Sequence, residues 1–197
     1  MILSTAYLPP ISYFQKIATS ENIIIEKHEH FVKQTYRNRC LIYGANGVQS
    51  LSIPLEHTIE KTVIIEKKIA YKEKWQHQHW RSIESAYRNS PYFIYYENEL
   101  RPFYESEYEY LFDYNSALLK VVFKLLKLKK EINFTMEFEK DPAEDLRNSI
   151  NPRSIPSEKN FKEYTQVFSD KHGFKADLSI IDLLFNLGPN SLEYLKT

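Results

Sequence analysis

The first 26 residues, MILSTAYLPPISYFQKIATSENIIIE, constrain the fold more than any other stretch of the chain. The opening MILSTAYL is apolar and suited to a strand. Pro9 and Pro10 must end it, because proline donates no ladder hydrogen bond and restricts the residue before it. Proline is tolerated in the first turn of a helix, so PPISYFQKIATS starts a short one. The β-branched run from Ile23 then opens a second strand. Strand, helix, strand is most simply a βαβ unit with parallel strands. Alternation continuing through NIIIEKHEHF places His28 and His30 on one face of the second strand.

The remainder extends this unit. KQTYRNRCLIYGANGVQSLSIPLE reads as a hairpin, with Asn46 and Gly47 supplying positive φ at the turn, and KTVIIEKKIAY reads as a further strand. From Glu73 the period becomes helical, with Trp75, His79, Ile83 and Ala86 recurring at three and four up to the break at NSPY. YFIYYENELRPFYES and EYLFDYNSALLKVVFKLLKL are two more helices, and EINFTMEFE alternates and returns to the sheet. The expected fold is α/β: a mixed, partly parallel sheet with helices packed on it, an N-terminal βαβ unit and a C-terminal extension. Residues 1–140 form the expected core domain. Residues 141–160, rich in Pro, Ser, Asn, Asp and Glu, form an irregular arm. Residues 161–197 form a C-terminal docking helical segment, in which Ser179 would cap a short buried helix ending at Gly188.

Composition narrows the partners. A chain of 197 residues is long enough for one well-cored domain. Lys plus Arg equals Asp plus Glu, at 26 each, so no global field draws it to nucleic acid or to a membrane surface, and any anion site must be local. The single Cys40 excludes an internal disulfide framework, and no signal segment or 18-residue apolar run is visible. The expectation is a cytoplasmic protein without membrane insertion. Four Gly against fifteen Tyr and twelve Phe point to a rigid aromatic core, and neither common Gly-rich phosphate loop occurs.

KQTYRNR is the strongest local signal for chemistry. If extended, it puts Lys33, Thr35, Arg37 and Arg39 on one face, with Asn38 on the other. Three co-facial cations suit a phosphate or carboxylate, since guanidinium groups bind both bidentately. They equally suit a solvated strand edge protected by its charges. His28, His30, His77 and His79 invite a metal reading, but positions two apart on a helix diverge and the H-E-x-x-H spacing is missing, so no metal site is assigned. His79 is either a satisfied core histidine beside Trp75 or an acid/base facing a site. Cys40, within RCLIY, reads as a small buried hydrophobe.

Together these pieces resemble the WbqC-like protein family in its Bacteroidetes-type form. The Y-L-P element, the aromatic helix, K-x-x-x-R-N-R, N-G before L-x-I-P, and H-W-x-S-I followed by P-Y-F carry the likeness over Ile2 to Tyr104. The resemblance implies a bacterial protein of O-antigen or other surface-polysaccharide biosynthesis whose activity is largely unassigned. It nominates Tyr7, Leu8, Pro9, Lys33, Arg37, Asn38, Arg39, Asn46, Gly47, His79 and Trp80. Many relatives carry Gln-Pro or His-Pro where this chain has Thr5 and Ala6, so chemistry resting on that Gln or His would be lost here.

Two functions follow as expectations. The first is an acyl or aminoacyl transferase or ligase acting on a nucleotide-linked amino sugar. His79 would be its catalytic acid/base, and Tyr7, Pro9, Lys33, Arg37, Asn38, Arg39 and Trp80 would bind the nucleotide-linked sugar or another small anionic ligand. The start of the first helix would support a phosphate or oxyanion. The alternative is a non-catalytic binding or assembly protein for a polysaccharide precursor or a glycosyltransferase partner, compatible with a homodimer. No cofactor is assigned.

Overall fold

A computed structural model describes residues 1–153 and 161–197. The N-terminal unit is β1 (Ile2–Ser4), α1 (Ile11–Thr19) and β2 (Ile23–Glu26), with β1 and β2 parallel and Ser4 opposite Glu26. The hairpin follows as β3 (Arg39–Gly44) and β4 (Gly47–Ser52), antiparallel. Then come α2 (Trp75–Tyr87), α3 (Phe93–Leu100), α4 (Leu111–Leu126) and β5 (Ile132–Phe134), which joins β2 in parallel. The C-terminal part holds α5 (Ser169–His172), α6 (Ile180–Leu187) and α7 (Ser191–Tyr194). The chain is therefore mixed α/β, with a partly parallel sheet and the expected βαβ start. None of the described helices is long and apolar enough to cross a membrane.

Sheet order is β1-β2-β5, and the chain then returns to the far side of β1. Asp145 bridges Ile2 in parallel, with Ile2 N donating to Glu144 O and Leu146 N to Ile2 O, each at 2.9 Å. Taken in chain order, these four extended segments lie 4-1-2-3. The winding direction thus reverses between β1 and residues 144–146. The segment from Asp141 is irregular and mostly exposed over its described residues, and it joins the open edge of β1 at this point by backbone hydrogen bonds. The part of that expected arm spanning residues 154–160 lies outside the described residues.

Several local expectations are corrected. KTVIIEKKIAY contains a 3-10 turn at Ile64–Glu66 between isolated bridges, because the chain there hydrogen-bonds to several separate partners in place of one strand. β2 stops at Glu26, and the carboxylate of that residue takes the His28 N–H at 2.7 Å, so His28 and His30 do not share a strand face. Lys33 to Arg37 form turns, with Gln34 at φ 60°, and β3 starts only at Arg39. In the hairpin turn Gly47 (φ 105°) supplies the positive dihedral and Asn46 does not.

The C-terminal part is woven into the start of the chain. Ile11 N donates to Leu178 O and Ile180 N to Pro9 O, both at 2.9 Å, and Ser179 N donates to Leu41 O at 2.8 Å. α6 is buried along most of its length and ends at Gly188, as its sequence predicts. Ser179 does stand at the N-cap, but its hydroxyl donates to Leu8 O at 2.8 Å and caps nothing. That bond helps hold Leu8 at φ 41°, a conformation costing a branched side chain about 1–3 kcal/mol.

Candidate functional site

The end of β1 and the residues after it carry two buried polar clusters, one at each end of the short stretch from Ser4 to Tyr7. The first lies at the carboxyl end of the parallel sheet. Ser4 on β1, Glu26 on β2 and Thr135 just after β5 sit side by side there, with Thr135 Oγ1 donating to Glu26 Oε1 at 2.8 Å. Arg147 donates to the other Glu26 oxygen from Nη1 at 3.2 Å and grips Asp145 from Nε and Nη2 at 2.9 and 2.6 Å. Arg37 turns inward and meets Glu29 bidentately, at 2.9 Å from Nε and 2.5 Å from Nη2. Its Nη2 also donates to Ser4 Oγ at 2.7 Å, and Ser4 Oγ in turn donates to Arg147 O at 2.9 Å. Glu26, Glu29, Arg37 and Arg147 are all buried.

A crevice of about 10 Å³, the size of one water, opens on this cluster between Ser4, Thr5 and Tyr36 on one side and Leu146, Arg147 and Ile150 on the other. It sits where the strand order reverses, at the carboxyl ends of the strands. Open α/β sheets bind their ligands in that position. Thr5 and Arg37 both line it and carry polar atoms without a partner among the described residues. Arg37 Nη1 makes no hydrogen bond to any described residue, and neither does the hydroxyl of Thr5, which is 3% exposed. Burial and the nearby Asp177, in that order, hold the Tyr36 phenol above its ordinary range.

The second cluster is neutral. Tyr7 Oη lies 3.0 Å from His79 Nδ1 and 2.9 Å from Tyr104 Oη. The Tyr7 ring stacks on His79 with centroids 5.7 Å apart, and Trp75 meets His79 edge-on at 5.1 Å. Burial pushes His79 down to about 4, and a backbone hydrogen bond at Ser52 opposes that more weakly. The imidazole is therefore neutral near pH 7, and Nδ1 accepts from the Tyr7 hydroxyl, which burial holds protonated. Tyr114 couples electrostatically to Tyr104, but its buried hydroxyl makes no hydrogen bond of good geometry.

The residues singled out from sequence are thus divided. Arg37 belongs to the crevice, and Tyr7 and His79 belong to the aromatic cluster. Trp80 packs between Phe93 and Tyr104, at 6.1 and 5.5 Å. Asn38 ties the hairpin base to Ile53 O at 2.8 Å, and Arg39 reaches Ser52 Oγ across the hairpin at 3.2 Å. Lys33 is exposed in a turn. The three cations share no face, because Arg37 is drawn in by Glu29 while Lys33 stays in solvent. Pro9 ends the β1 segment and hands its carbonyl to Ile180.

The helix start that promised an anion site is already filled. Ser12 gives its N–H and its hydroxyl to Asp177, at 2.7 and 2.8 Å. Burial raises Asp177 to about 6 against those two hydrogen bonds, so the protein's own carboxylate meets the positive end of α1. Sequence reasoning missed Glu29, Arg147 and Asp177. Each reads as an ordinary surface charge, and only the sheet topology brings them inward. Among the described residues no group of three or more His, Cys, Asp or Glu is placed to hold a metal ion.

Comparison with known proteins agrees with this reading of the N-terminal motifs. The uncharacterized protein Rv1507c of Mycobacterium tuberculosis is 24% identical, with the alignment covering 99% of this chain and 96% of that protein. No solved structure matches. The model of the WbqC-like protein family matches residues 5–152, a span that includes Thr5, Tyr7, Glu29, Arg37, His79 and Arg147. The chain belongs to the WbqC-like protein family.

Proposed function

We propose that the protein binds a nucleotide-linked amino sugar in the crevice beside Thr5 and Arg37 and serves bacterial surface-polysaccharide synthesis, with acyl or aminoacyl transfer to the sugar amine as its reaction. One observation carries the ligand site. At the reversal of strand order, Thr5 and Arg37 line a crevice, and neither Thr5 Oγ1 nor Arg37 Nη1 is hydrogen-bonded to a described residue. The charge of Arg37 is matched by Glu29, so its remaining N–H suits an uncharged oxygen such as a sugar hydroxyl. The polysaccharide setting rests on the resemblance to the WbqC-like family.

Entry of a sugar requires the segment from Leu146 to Ile150 to give way. Its backbone is joined to β1 where Leu146 N donates to Ile2 O and Ser4 Oγ donates to Arg147 O, reinforced by the side-chain bonds of Arg147. His79 lines no part of the crevice, and this favours a second reading in which the protein holds the precursor without transforming it. One experiment separates the readings. The protein is incubated with nucleotide-linked amino sugars, ATP and a panel of amino and organic acids, and amide product is sought by mass spectrometry while binding is followed by NMR. Saturable binding lost in Thr5→Val, with product, supports the enzyme. Binding without product supports the holding protein. No binding of any nucleotide-linked amino sugar overturns both.

A further inference from the structure

The loop that joins β2 to β3 runs from the charged cluster to a second, larger hollow. This pocket, about 340 Å³, is lined by Phe31, Lys33, Thr58, Thr62 and Lys67, with Glu56, Glu60 and Lys61 also on its walls. Its volume lies within the range of small-molecule sites, roughly 300–1,000 Å³. Lys67 is only 6% exposed. Its ammonium donates to Glu56 O at 2.7 Å and to Thr58 Oγ1 at 3.1 Å, and stands 5.8 Å from the centre of the Phe31 ring. None of these partners bears a full negative charge.

A lysine this buried is normally paired with a carboxylate. Among the described residues, none lies within ion-pairing distance of Lys67. Burial first, and then the neighbouring Lys33, pull Lys67 below the ordinary lysine range, while Glu56 acts more weakly the other way. Lys33, Lys61 and Lys67 line one hollow with Glu56 and Glu60, and an anion between Lys33 and Lys67 would relieve the repulsion of that pair. Thr58 Oγ1 accepts from Lys67 and lies 2.9 Å from Thr62 Oγ1, which also reaches Glu60 O at 3.4 Å; with Thr62 as donor in this pair, the Thr58 hydroxyl can turn its proton to a ligand. The carboxylates of Glu56 and Glu60 belong to exposed residues, where water and salt screen them.

We propose that this pocket binds the phosphate of a phosphorylated small molecule, with Lys67 and Lys33 as its charge partners and the Thr58 hydroxyl as a further donor. The site stands independently of the crevice at Thr5. Sequence alone pointed to Lys33 but placed it beside Arg37 and Arg39, whereas the fold sets it opposite Lys67.

Calorimetric titration of the full chain tests the site, using inorganic pyrophosphate, adenosine diphosphate and sulfate at low ionic strength. The expected result is saturable pyrophosphate binding that weakens about tenfold in Lys33→Ala and is lost in Lys67→Met. Tighter binding of adenosine diphosphate would make a nucleotide the source of the phosphate, and equal or weaker binding would make the phosphate alone the recognised group. Should Lys67→Met fail to fold, Thr58→Val, expected to weaken binding several-fold, decides together with Lys33→Ala. No saturation by either phosphate compound, or equal affinity in wild type and all folded pocket variants, overturns the proposal.

Discussion

The clusters built on Ser4 and on Tyr7 sit three residues apart on one segment and are held by opposite physics. Around Ser4, buried charged side chains are paired: Glu29 with Arg37, and Glu26 with Arg147, which also holds the less buried Asp145. Around Tyr7, the phenols of Tyr7 and Tyr104 and the imidazole of His79 are equally buried but kept neutral. Removing charges from water costs several kcal/mol each, and attraction between them seldom returns more than that. A fold can satisfy a buried polar group more cheaply in the neutral way, as this one does a few residues later. The ionic solution is retained at the carboxyl end of the sheet, where ligands of α/β proteins bind, and this difference is why the proposed ligand site is placed on the Ser4 side.

The contrast can be broken in order of expected effect. Arg37→Met leaves Glu29 buried without its partner and should destabilise the protein by about 3–5 kcal/mol in urea unfolding, with much of that recovered in Arg37→Met/Glu29→Met. Equal losses in the single and double variants would show that the pair is not the source. A smaller, pH-dependent effect separates carboxylates from the imidazole. Burial raises Asp182 to about 6, against hydrogen bonds from Tyr164, Gln166 and Tyr87 that lower it. Its stabilising contribution is complete below the unfolded carboxylate value and is lost as pH rises through about 6, on the order of a few kcal/mol. His79 has the opposite sign. Its folded value of about 4 lies below the unfolded one, so its contribution is present above the unfolded imidazole value and fades as pH falls through 4. Asp182→Asn should therefore flatten the fall in stability between pH 4 and 6, and an unchanged profile would mean that Asp182 ionises normally.

Tyr7→Phe strips a hydrogen bond from His79 and one from Tyr104 and should cost about 1–3 kcal/mol, less than the loss of Arg37. NMR should show the imidazole still neutral at pH 6 in that variant, because burial sets its ionisation more than the phenol does. Arg39→Ala comes last. Among the described residues the Arg39 side chain hydrogen-bonds to Ser52 alone, at the hairpin edge, so the change should stay within about 0.5 kcal/mol. A loss as large as that of Arg37→Met would restore the view that the two arginines act together.

The sequence made the order of the elements legible wherever one physical signal dominated. Pro9 and Pro10 marked the passage from β1 to α1, the spacing of Trp75, His79 and Ile83 marked α2, and Gly188 marked the end of α6. Regions governed by distant partners were not legible. Arg37 leaves the expected strand because Glu29 waits inside, and the Ile64–Glu66 turn forms in a run rich in strand-forming residues because its neighbours bond in several directions. The candidate site was half visible. Position 5 stood out by comparison with relatives and Arg37 by its charge. Arg147 lies 110 residues beyond Arg37 in a segment that looked exposed, and only the return of the chain to β1 explains its role.

Hydrogen exchange on the intact chain, with and without a panel of nucleotide-linked amino sugars, tests the central claim most directly. If the crevice is the ligand site, added sugar nucleotide should slow exchange at Thr5 and Ala6, at Tyr36 and Arg37, and from Leu146 to Ile150, and Thr5→Val should abolish the effect. Exchange unchanged across these segments by every member of the panel, or slowed only around Thr58 to Lys67, would contradict the claim and leave the buried charges at the end of the sheet as scaffolding.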